Sequence, residues 1–457
     1  MQPILDLIKR ILPKNVIKKI RPYGHGFLAY AAAMRYGFPS RKMIVAGITG
    51  TAGKSSTIQM FAHILNSNNV KCGYSTTVGF CDGSKESANM QGLSMPGRFA
   101  LQRHLKRMLA NRCQCALVEC TSEGLAQNRH LGINFDIAAI TNLSQAHLDA
   151  HGGIENYRKA KARLFSALEK STKKDFFPKK IIAVNLDDDS AALAAPYKAD
   201  LKIGITSRAN AAFDFQPRAV YRISGVSAGA KVEFKLNSTP FALNLPGEFN
   251  AANAAFASAI ANVLGVSMEN CASALAGFAG IAGRMQFVPN KKQIQIIVDY
   301  APEPIDLENA LRGLQNIPHK RIIHVFGSTG GHRDVGKRFE FGEISARHAQ
   351  VIILTNDDVY ESDPEKIIAD IHKGIENTPP AEKKAVEIFD VPERKQALKK
   401  ALDLARPGDI IIATGKGSER FLVLPGNRRI AWDEVKIFED LLSGFPEMET
   451  ETEIQRQ

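Results

Sequence analysis

Between Val45 and Thr57 the chain reads VAGITGTAGKSST. A short apolar run feeds into Gly50, Thr51 and Gly53, then a single cation, Lys54, then the hydroxyls of Ser55 and Ser56. Small residues leave the backbone bare, so several N–H groups can turn toward one anion. A lysine at the end of such a loop reaches the outer phosphates, and a serine hydroxyl can ligate Mg2+. These are the needs of the triphosphate of ATP. Counting back from Gly53, the first place of the Gly-x-x-x-x-Gly-Lys-Ser spacing is Ile48, so only the second half of that pattern is met. The surroundings suit it: a strand-like run precedes the loop, and a helical stretch over Ser56–Leu65 follows.

Other reactive side chains stand at the ends of similar runs. Glu119 closes CALVEC, and His147 and His151 follow IAAITN. Further runs, IIAVNLDD, IIVDY, IIHVFGS, VIILTND and DIIIATGKG, alternate with longer helix-like stretches. Val/Ile-rich runs between helices predict buried parallel strands, and ligands bind at the carboxyl ends of such strands. The fold class expected is therefore α/β. A P-loop central domain with a mostly parallel sheet precedes a C-terminal Rossmann-like α/β domain. From about Lys202 to Leu245 the sequence alternates and carries turn residues, which predicts a small antiparallel patch, and an alanine-rich helix starts near Asn250. The expected division is a short basic helical segment over 1–42, the central domain over 43–283, the C-terminal domain over 284–445 and a polar tail over 446–457.

Composition narrows the partners. The 457 residues carry a net charge of +12, but Lys and Arg are spread along the chain without aromatic-studded basic runs, so no nucleic-acid partner is expected. The six cysteines show no Cys-x-x-Cys spacing and read as reduced thiols of a cytoplasmic protein. No apolar stretch reaches membrane-spanning length. Residues 1–22 are basic, with Ile4, Leu5, Leu7, Ile8, Ile11 and Leu12 at helical spacing. A helix packed on its own domain is the preferred reading, and peripheral contact with an anionic membrane is the alternative. A monomer is expected.

GITGTAGKSST resembles the P-loop of the Mur ligases, and the resemblance continues in family order through ECTSEGLAQNR, TNLSQAHLDAHG, YRKAKARLF, GEFNAANAAFA, GRM, VDYAPEP, FGSTGGHRDVGKR, TNDDVYESDP and TGKGSE. It spans about Lys42 to Leu442 and is closest to the MurE type. The resemblance implies an ATP-dependent amide ligase of peptidoglycan precursor synthesis. ATP phosphorylates a carboxylate of a UDP-linked muramyl peptide, a free amino acid's amine attacks, and phosphate leaves. It implies ATP and Mg2+ as cofactors, with Lys54, Glu119, His147 and a carbamylated Lys161 at the reaction centre and Ser55, Glu119, His147 and Lys161 about the metal. Asn250 and Asn253 match the adenine side, and Arg284 and Asp299 match groups that reach ATP from the C-terminal domain. Ser94, Ser122, Gln127 and Arg129 match positions that grip the muramyl peptide, and Arg333, Asp357, Asp358, Gly415 and Glu419 map onto the pocket of the incoming amino acid.

Several places depart from the family pattern. Ala146 stands for an aspartate, and Glu123, Pro302 and Ser418 stand for histidines. The selector that reads Asp-Asn-Pro-Arg in diaminopimelate ligases is Asp357-Asp358-Val359-Tyr360 here. Without that arginine a distal carboxylate has lost its bidentate partner, which favours lysine, ornithine or another amino acid. About forty residues precede the loop, too few for a separate uridine-holding domain. Two other readings accompany this one: a related ligase acting on a polyglutamate or pseudomurein-type peptide, and a catalytically weakened nucleotide-binding protein that works by interaction.

Overall fold

The computed structural model describes residues 14–90, 93–144, 152–209, 215–331, 335–385 and 387–444. They form two compact units, one essentially of the residues up to Tyr221 and one of those from Arg222 onward. His147, Arg333, the first thirteen residues and the tail lie outside the described residues.

In the first unit, β1 (Ile44–Thr49), β2 (Cys72–Ser75), β3 (Gly79–Cys81), β4 (Glu86–Ala88), β5 (Cys115–Glu119), β6 (Ile137–Ile140), β7 (Ile181–Asn185) and β8 (Leu201–Thr206) stand in the order β8-β7-β6-β1-β5-β2-β3-β4. The pairs from β8 through β1 and β5 to β2 are parallel, and β2 turns back on β3. Val, Ile and Ala fill these strands because both faces of the sheet are covered, so the runs are continuously apolar rather than alternating. The chain leaves β1 toward β2 and β5 on one side and later returns to β6 on the other. That reversal of strand order opens a crevice at the carboxyl end of β1, the place where open α/β sheets bind ligands.

At the other end of β1 a buried carboxylate ties the sheet together. Asp136 Oδ2 accepts from the backbone N–H of Val45 at 2.8 Å and from Lys174 Nζ, and Asp136 Oδ1 lies 3.5 Å from Lys180 Nζ. Lys180 Nζ also donates to the carbonyls of Phe135 and Thr172, and Lys174 Nζ to that of Met43. Burial pushes both lysines down, opposed by Asp136. The helix Lys14–Arg35 lies on this unit through small residues: Ala29, Ala32 and Ala33 are buried, with Ala33 facing Gly132. Among the described residues no helix is long and apolar enough to cross a membrane.

The antiparallel patch starts later than its composition predicts. Residues 201–206 form β8, which pairs in parallel with β7. The Ile203–Thr206 end of that strand is buried on both faces, which the apparent alternation of LKIGIT concealed. The meander proper is β9 (Ala219–Ala228), β10 (Val232–Leu236) and β11 (Thr239–Leu243), with Phe234 stacked on Phe241 at 5.1 Å. The helix Phe249–Val263 follows, built of alanines that allow close packing.

The second unit carries a six-stranded sheet in the order β12-β13-β17-β14-β15-β16, from β12 (Gln286–Phe287), β13 (Gln295–Val298), β14 (Ile322–Phe326), β15 (Val351–Leu354), β16 (Glu387–Asp390) and β17 (Ile410–Ala413). All pairs but β12–β13 are parallel. A hairpin of β18 (Phe421–Leu424) and β19 (Arg428–Ala431) completes it. Inside β14, His324 is fully buried and stacked on Phe326, with its ring nitrogens against Ser345 Oγ at 2.8 Å and Thr414 Oγ1 at 2.9 Å. Burial, with Arg394 and His348 adding to it, pushes its pKa down to about 3.

A histidine held neutral in the fold ionises more readily once unfolded, so its contribution is complete above its unfolded pKa of about 6.5 and fades as pH falls from there toward 3. Thermal unfolding from pH 8 to pH 4 should therefore show a flatter acid limb in His324→Gln than in the parent chain. The variant should also be less stable at pH 8, where the parent's two hydroxyl contacts are intact. Parallel acid limbs in the two chains would contradict this account.

Candidate active site

The crevice at the end of β1 is furnished by three strand ends. Register sets them: Ile48 pairs with Glu119 of β5, and Thr49 with Ile140 of β6. The loop Gly50–Gly53 therefore emerges between Glu119 on one side and Thr141–Asn142 on the other. Its backbone is held from the β6 side. Asn142 Oδ1 accepts from Ala52 N at 2.8 Å and Thr51 N at 3.1 Å, and Thr141 Oγ1 donates to the Ala52 carbonyl at 2.7 Å. Gly50 has φ 150°, and a Cβ there would run into the Thr141 hydroxyl, so only glycine fits. Thr51 Oγ1 meets Tyr157 Oη at 2.9 Å, which ties the loop to the helix Ile154–Lys170.

Lys54 opens the helix Lys54–Ser67, and its Nζ folds back to the Thr51 carbonyl at 2.8 Å. Ser55 Oγ donates to Glu119 Oε2 at 2.7 Å. Thr77 completes the carboxylate's set, its N–H to Oε2 at 2.8 Å and its hydroxyl to Oε1 at 2.9 Å. Glu119 is buried, and three donors hold it as an oxygen acceptor in place. Lys161, only 1% exposed, donates to the Gly50 carbonyl at 2.6 Å, with its Nζ 4.5 Å from the centre of the Tyr157 ring. Burial and then Lys54 hold its amine well below the ordinary lysine range, with Glu119 acting the other way. Gly50, Thr51, Gly53, Lys54, Ser55, Ser56, Glu119 and Lys161 are thus gathered at one end of one sheet.

A second set lies in the same unit. Gln127 Oε1 accepts from Arg129 Nε at 3.2 Å and Nη2 at 2.8 Å, and Gln127 Nε2 donates to Glu123 Oε1 at 2.7 Å. Arg129 also donates to the carbonyl of Met95, next to Ser94, and Arg98 to that of Gln127. Ser122 begins the short helix Ser122–Ala126, capped by the Thr121 hydroxyl. Glu123, in place of a family histidine, is therefore part of the network that orients Gln127 and Arg129.

In the second unit Asn250 and Asn253 are buried together, with Asn253 Nδ2 donating to Asn250 Oδ1 at 3.1 Å. Arg284 lies over the Tyr300 ring at 4.4 Å. Asp299 accepts from Met285 N at 2.7 Å, its carboxyl pushed up by burial and held back by Arg284. The carboxyl ends of β13, β17, β14 and β15 surround an open pocket lined among others by Tyr300, Pro302, Asp357, Asp358, Gly415 and Glu419. Beneath its three carboxylates sits Lys416, fully buried, 2.6 Å from Glu419 Oε2, 2.8 Å from Asp358 Oδ1 and 3.7 Å from Asp357 Oδ1. These partners overcome its burial and raise its pKa. A Cβ on Gly415, at φ 107°, would collide with the Asp357 carboxylate. Arg338 is buried in a pair with Asp370 at 3.0 Å.

Residues 48–261 match the Mur ligase middle domain, and residues 283–417 match the Mur ligase, glutamate ligase domain. The chain belongs to the Mur ligase family. It is 34% identical over 414 residues to the UDP-N-acetylmuramyl-tripeptide synthetase of Roseiflexus sp. (strain RS-1), covering 89% of this chain and 80% of that one. It is also 34% identical to the UDP-N-acetylmuramoyl-L-alanyl-D-glutamate--2,6-diaminopimelate ligase of Thermosynechococcus vestitus, covering 88% of this chain and 77% of the relative. Among solved structures, a ligase of that same diaminopimelate name superposes with a TM-score of 0.57 at 26% identity, over 88% of this chain and 78% of the other. The MurF ligase of Thermotoga maritima in complex with ADP shares the fold, with a TM-score of 0.62 at 17% identity over 93% of this chain and 84% of that one.

Several residues that shape this Mur ligase's site carry no obvious mark in the sequence. Thr77, Tyr157 and Asn142 act through hydrogen bonds to the loop or to Glu119, and Lys416 lies hidden between two glycines. A lysine immediately after a buried strand end, close to acidic residues, is the one signal that could have singled out Lys416.

Gly50→Ala should force the loop away from Thr141 and cost about 1–3 kcal/mol of stability. Denaturant unfolding checks it. An unchanged midpoint and slope would show that the loop is not pinned against β6 in this way.

Proposed function

We propose that this chain is an ATP-dependent ligase that adds an amino acid to the carboxylate of a UDP-linked muramyl peptide, in the manner of peptidoglycan precursor synthesis. The observation that carries the reading is the glycine loop held open by Thr141 and Asn142, with Lys54 at its end and the Ser55–Glu119 pair beside it. We read the ATP-binding domain as residues 43–283 and the C-terminal domain as 284–445, a division supported by the matched ranges 48–261 and 283–417.

The N–H groups of the loop beyond Ala52 receive the phosphates, and Lys54 swings from the Thr51 carbonyl to the outer ones. A carboxylate oxygen of the muramyl peptide attacks the γ-phosphorus, the bond to ADP breaks, and an acyl phosphate forms. The neutral amine of the amino acid attacks the acyl carbon; a C–N bond forms, the C–O bond to phosphate breaks, and the amine's proton is released. Glu123, Gln127 and Arg129 form a linked array able to hold the peptide, with Ser94 and Ser122 beside it. Ser55, Thr77 and Glu119 offer oxygen donors alone, which suits Mg2+, an ion that takes one or two protein oxygens together with phosphate and water. When bound it would neutralise phosphate charge during transfer. Lys161, with its amine held toward the neutral form, is set to add CO2 at Nζ, losing a proton and becoming an anionic carbamate beside these oxygens.

In the C-terminal domain three carboxylates face one buried ammonium, so the pocket keeps net negative charge. Arg338 is committed to Asp370, and Tyr360 stands where diaminopimelate ligases carry arginine. The incoming amino acid is therefore one whose side chain ends in an ammonium, such as lysine or ornithine.

The test offers the enzyme ATP, UDP-muramyl dipeptide and a panel of amino acids, follows phosphate release and weighs the product. Release should require both the dipeptide and an amino acid, and Lys54→Ala should lower kcat/KM by at least about a hundredfold, as loss of a phosphate-binding cation does. Near-normal ligation by Lys54→Ala would sink the reading of the loop.

The same panel tests the pocket. Lysine or ornithine should give a higher kcat/KM than meso-diaminopimelate, and Tyr360→Arg should raise diaminopimelate use about tenfold or more, since a charge-assisted hydrogen bond contributes about 1.5–3 kcal/mol. A parent enzyme that prefers diaminopimelate would overturn the assignment.

A further inference from the structure

The helix Lys14–Arg35 is packed with its polarity of size reversed. Its buried side is Ala29, Ala32 and Ala33, the smallest apolar residues it has. Three large ones among its described side chains are outside: Phe27 is 74% exposed, Tyr30 52% and Met34 70%. A hydrophobic effect acting on this unit alone would bury a phenylalanine before an alanine, by about 1.5–3 kcal/mol for a full side chain. The three lie at spacings of three and four residues and so share one stripe. In sequence, Val16, Ile20 and Tyr23 precede them at the same spacings of three and four. From Phe27 to Met34 the stripe runs about 10 Å along the axis. Large apolar side chains grouped on one exposed stripe mark a surface meant for a partner.

Charge says which partner. Residues 1–42 hold nine Lys and Arg against one Asp, and so carry eight of the chain's twelve net positive charges. Between Lys14 and Arg35 there is no Asp or Glu, while Lys14, Lys18, Lys19, Arg21 and Arg35 flank the stripe in sequence. A second copy of the chain would satisfy the spacing but would bring two such segments together, like charge against like. The helix is too polar to span a bilayer. An apolar stripe of aromatic residues and Met on a purely basic helix fits the headgroup region of an anionic lipid surface, where acyl chains take the stripe and phosphates take the lysines. We propose that this helix docks the enzyme peripherally on an anionic membrane, with Phe27, Tyr30 and Met34 entering the interface while Ala29, Ala32 and Ala33 keep the helix on its own domain.

The full chain is sedimented with vesicles of phosphatidylcholine, with or without about 30 mol% phosphatidylglycerol, at low and high salt. It should pellet with the anionic vesicles only, and less so at high salt. Phe27→Ser/Tyr30→Ser/Met34→Ser should weaken this binding by about tenfold or more while leaving the melting temperature and ATP-dependent phosphate release unchanged. Lys18→Glu/Lys19→Glu/Arg21→Glu should remove the lipid-charge preference. The proposal is overturned if the parent chain stays in the supernatant with phosphatidylglycerol vesicles, or if the serine variant pellets as well as the parent. It is likewise overturned if light scattering finds a dimer that the serine variant converts to monomer, since the stripe would then be a subunit seam.

Discussion

A phosphate-binding loop has to present bare N–H groups to solvent and still keep one shape. The Gly50–Gly53 loop keeps its shape through a neighbour: Thr141 and Asn142, just past the end of β6, bond the N–H groups of Thr51 and Ala52 and the Ala52 carbonyl. The remaining geometry follows from that grip. It requires β6 beside β1, which fixes the reversal of strand order, and it leaves β5 on the other flank to deliver Glu119. The helix Ile154–Lys170 is drawn in by the Thr51–Tyr157 contact and places Lys161 against Gly50.

The second unit solves a different problem. Three carboxylates at adjoining strand ends would repel one another, and Lys416 beneath them makes the cluster tolerable without cancelling it. Nearby, Arg394 is fully buried against Glu434, with Trp432 donating to the same carboxylate at 2.6 Å. Pairing with full hydrogen bonding is what permits charges at such depth. The Arg394 guanidinium also holds the Thr414 carbonyl at 2.7 Å, so this ion pair fixes the strand end from which Gly415 and Lys416 depart.

The sequence made the strands and the glycine loop legible because both leave dense local signals: continuous Val/Ile runs for a sheet covered on two faces, and small residues around one lysine for the loop. Asp357, Asp358, Gly415 and Glu419 were readable as one pocket only through family motifs, since nothing local links residues almost sixty positions apart. The buried lysines escaped for a related reason. Lys174, Lys180 and Lys416 look in sequence like solvated surface charges, and only their carboxylate partners, distant or turned inward, make them interior. The helical periodicity read at the N-terminus fell on Ile4–Leu12, outside the described residues, and which face the helix Lys14–Arg35 buries depended on the shape of Gly132 and its neighbours, which periodicity does not encode.

The Asp136 cluster under β1 has a meaning for the order in which the first unit assembles. Its members come from β1, the entry to β6 and the segment after the helix Ile154–Lys170, and Val45 and Asp136 are 91 positions apart. Partial closure would strand an ionised group in an apolar interior, which is costly until every partner has arrived. Closing so long a loop also demands chain entropy before any contact repays it. The cluster therefore ties the energy of the sheet to its register: a sheet with β6 out of register or undocked would leave Asp136 or a lysine unmatched, at a cost the native arrangement does not carry.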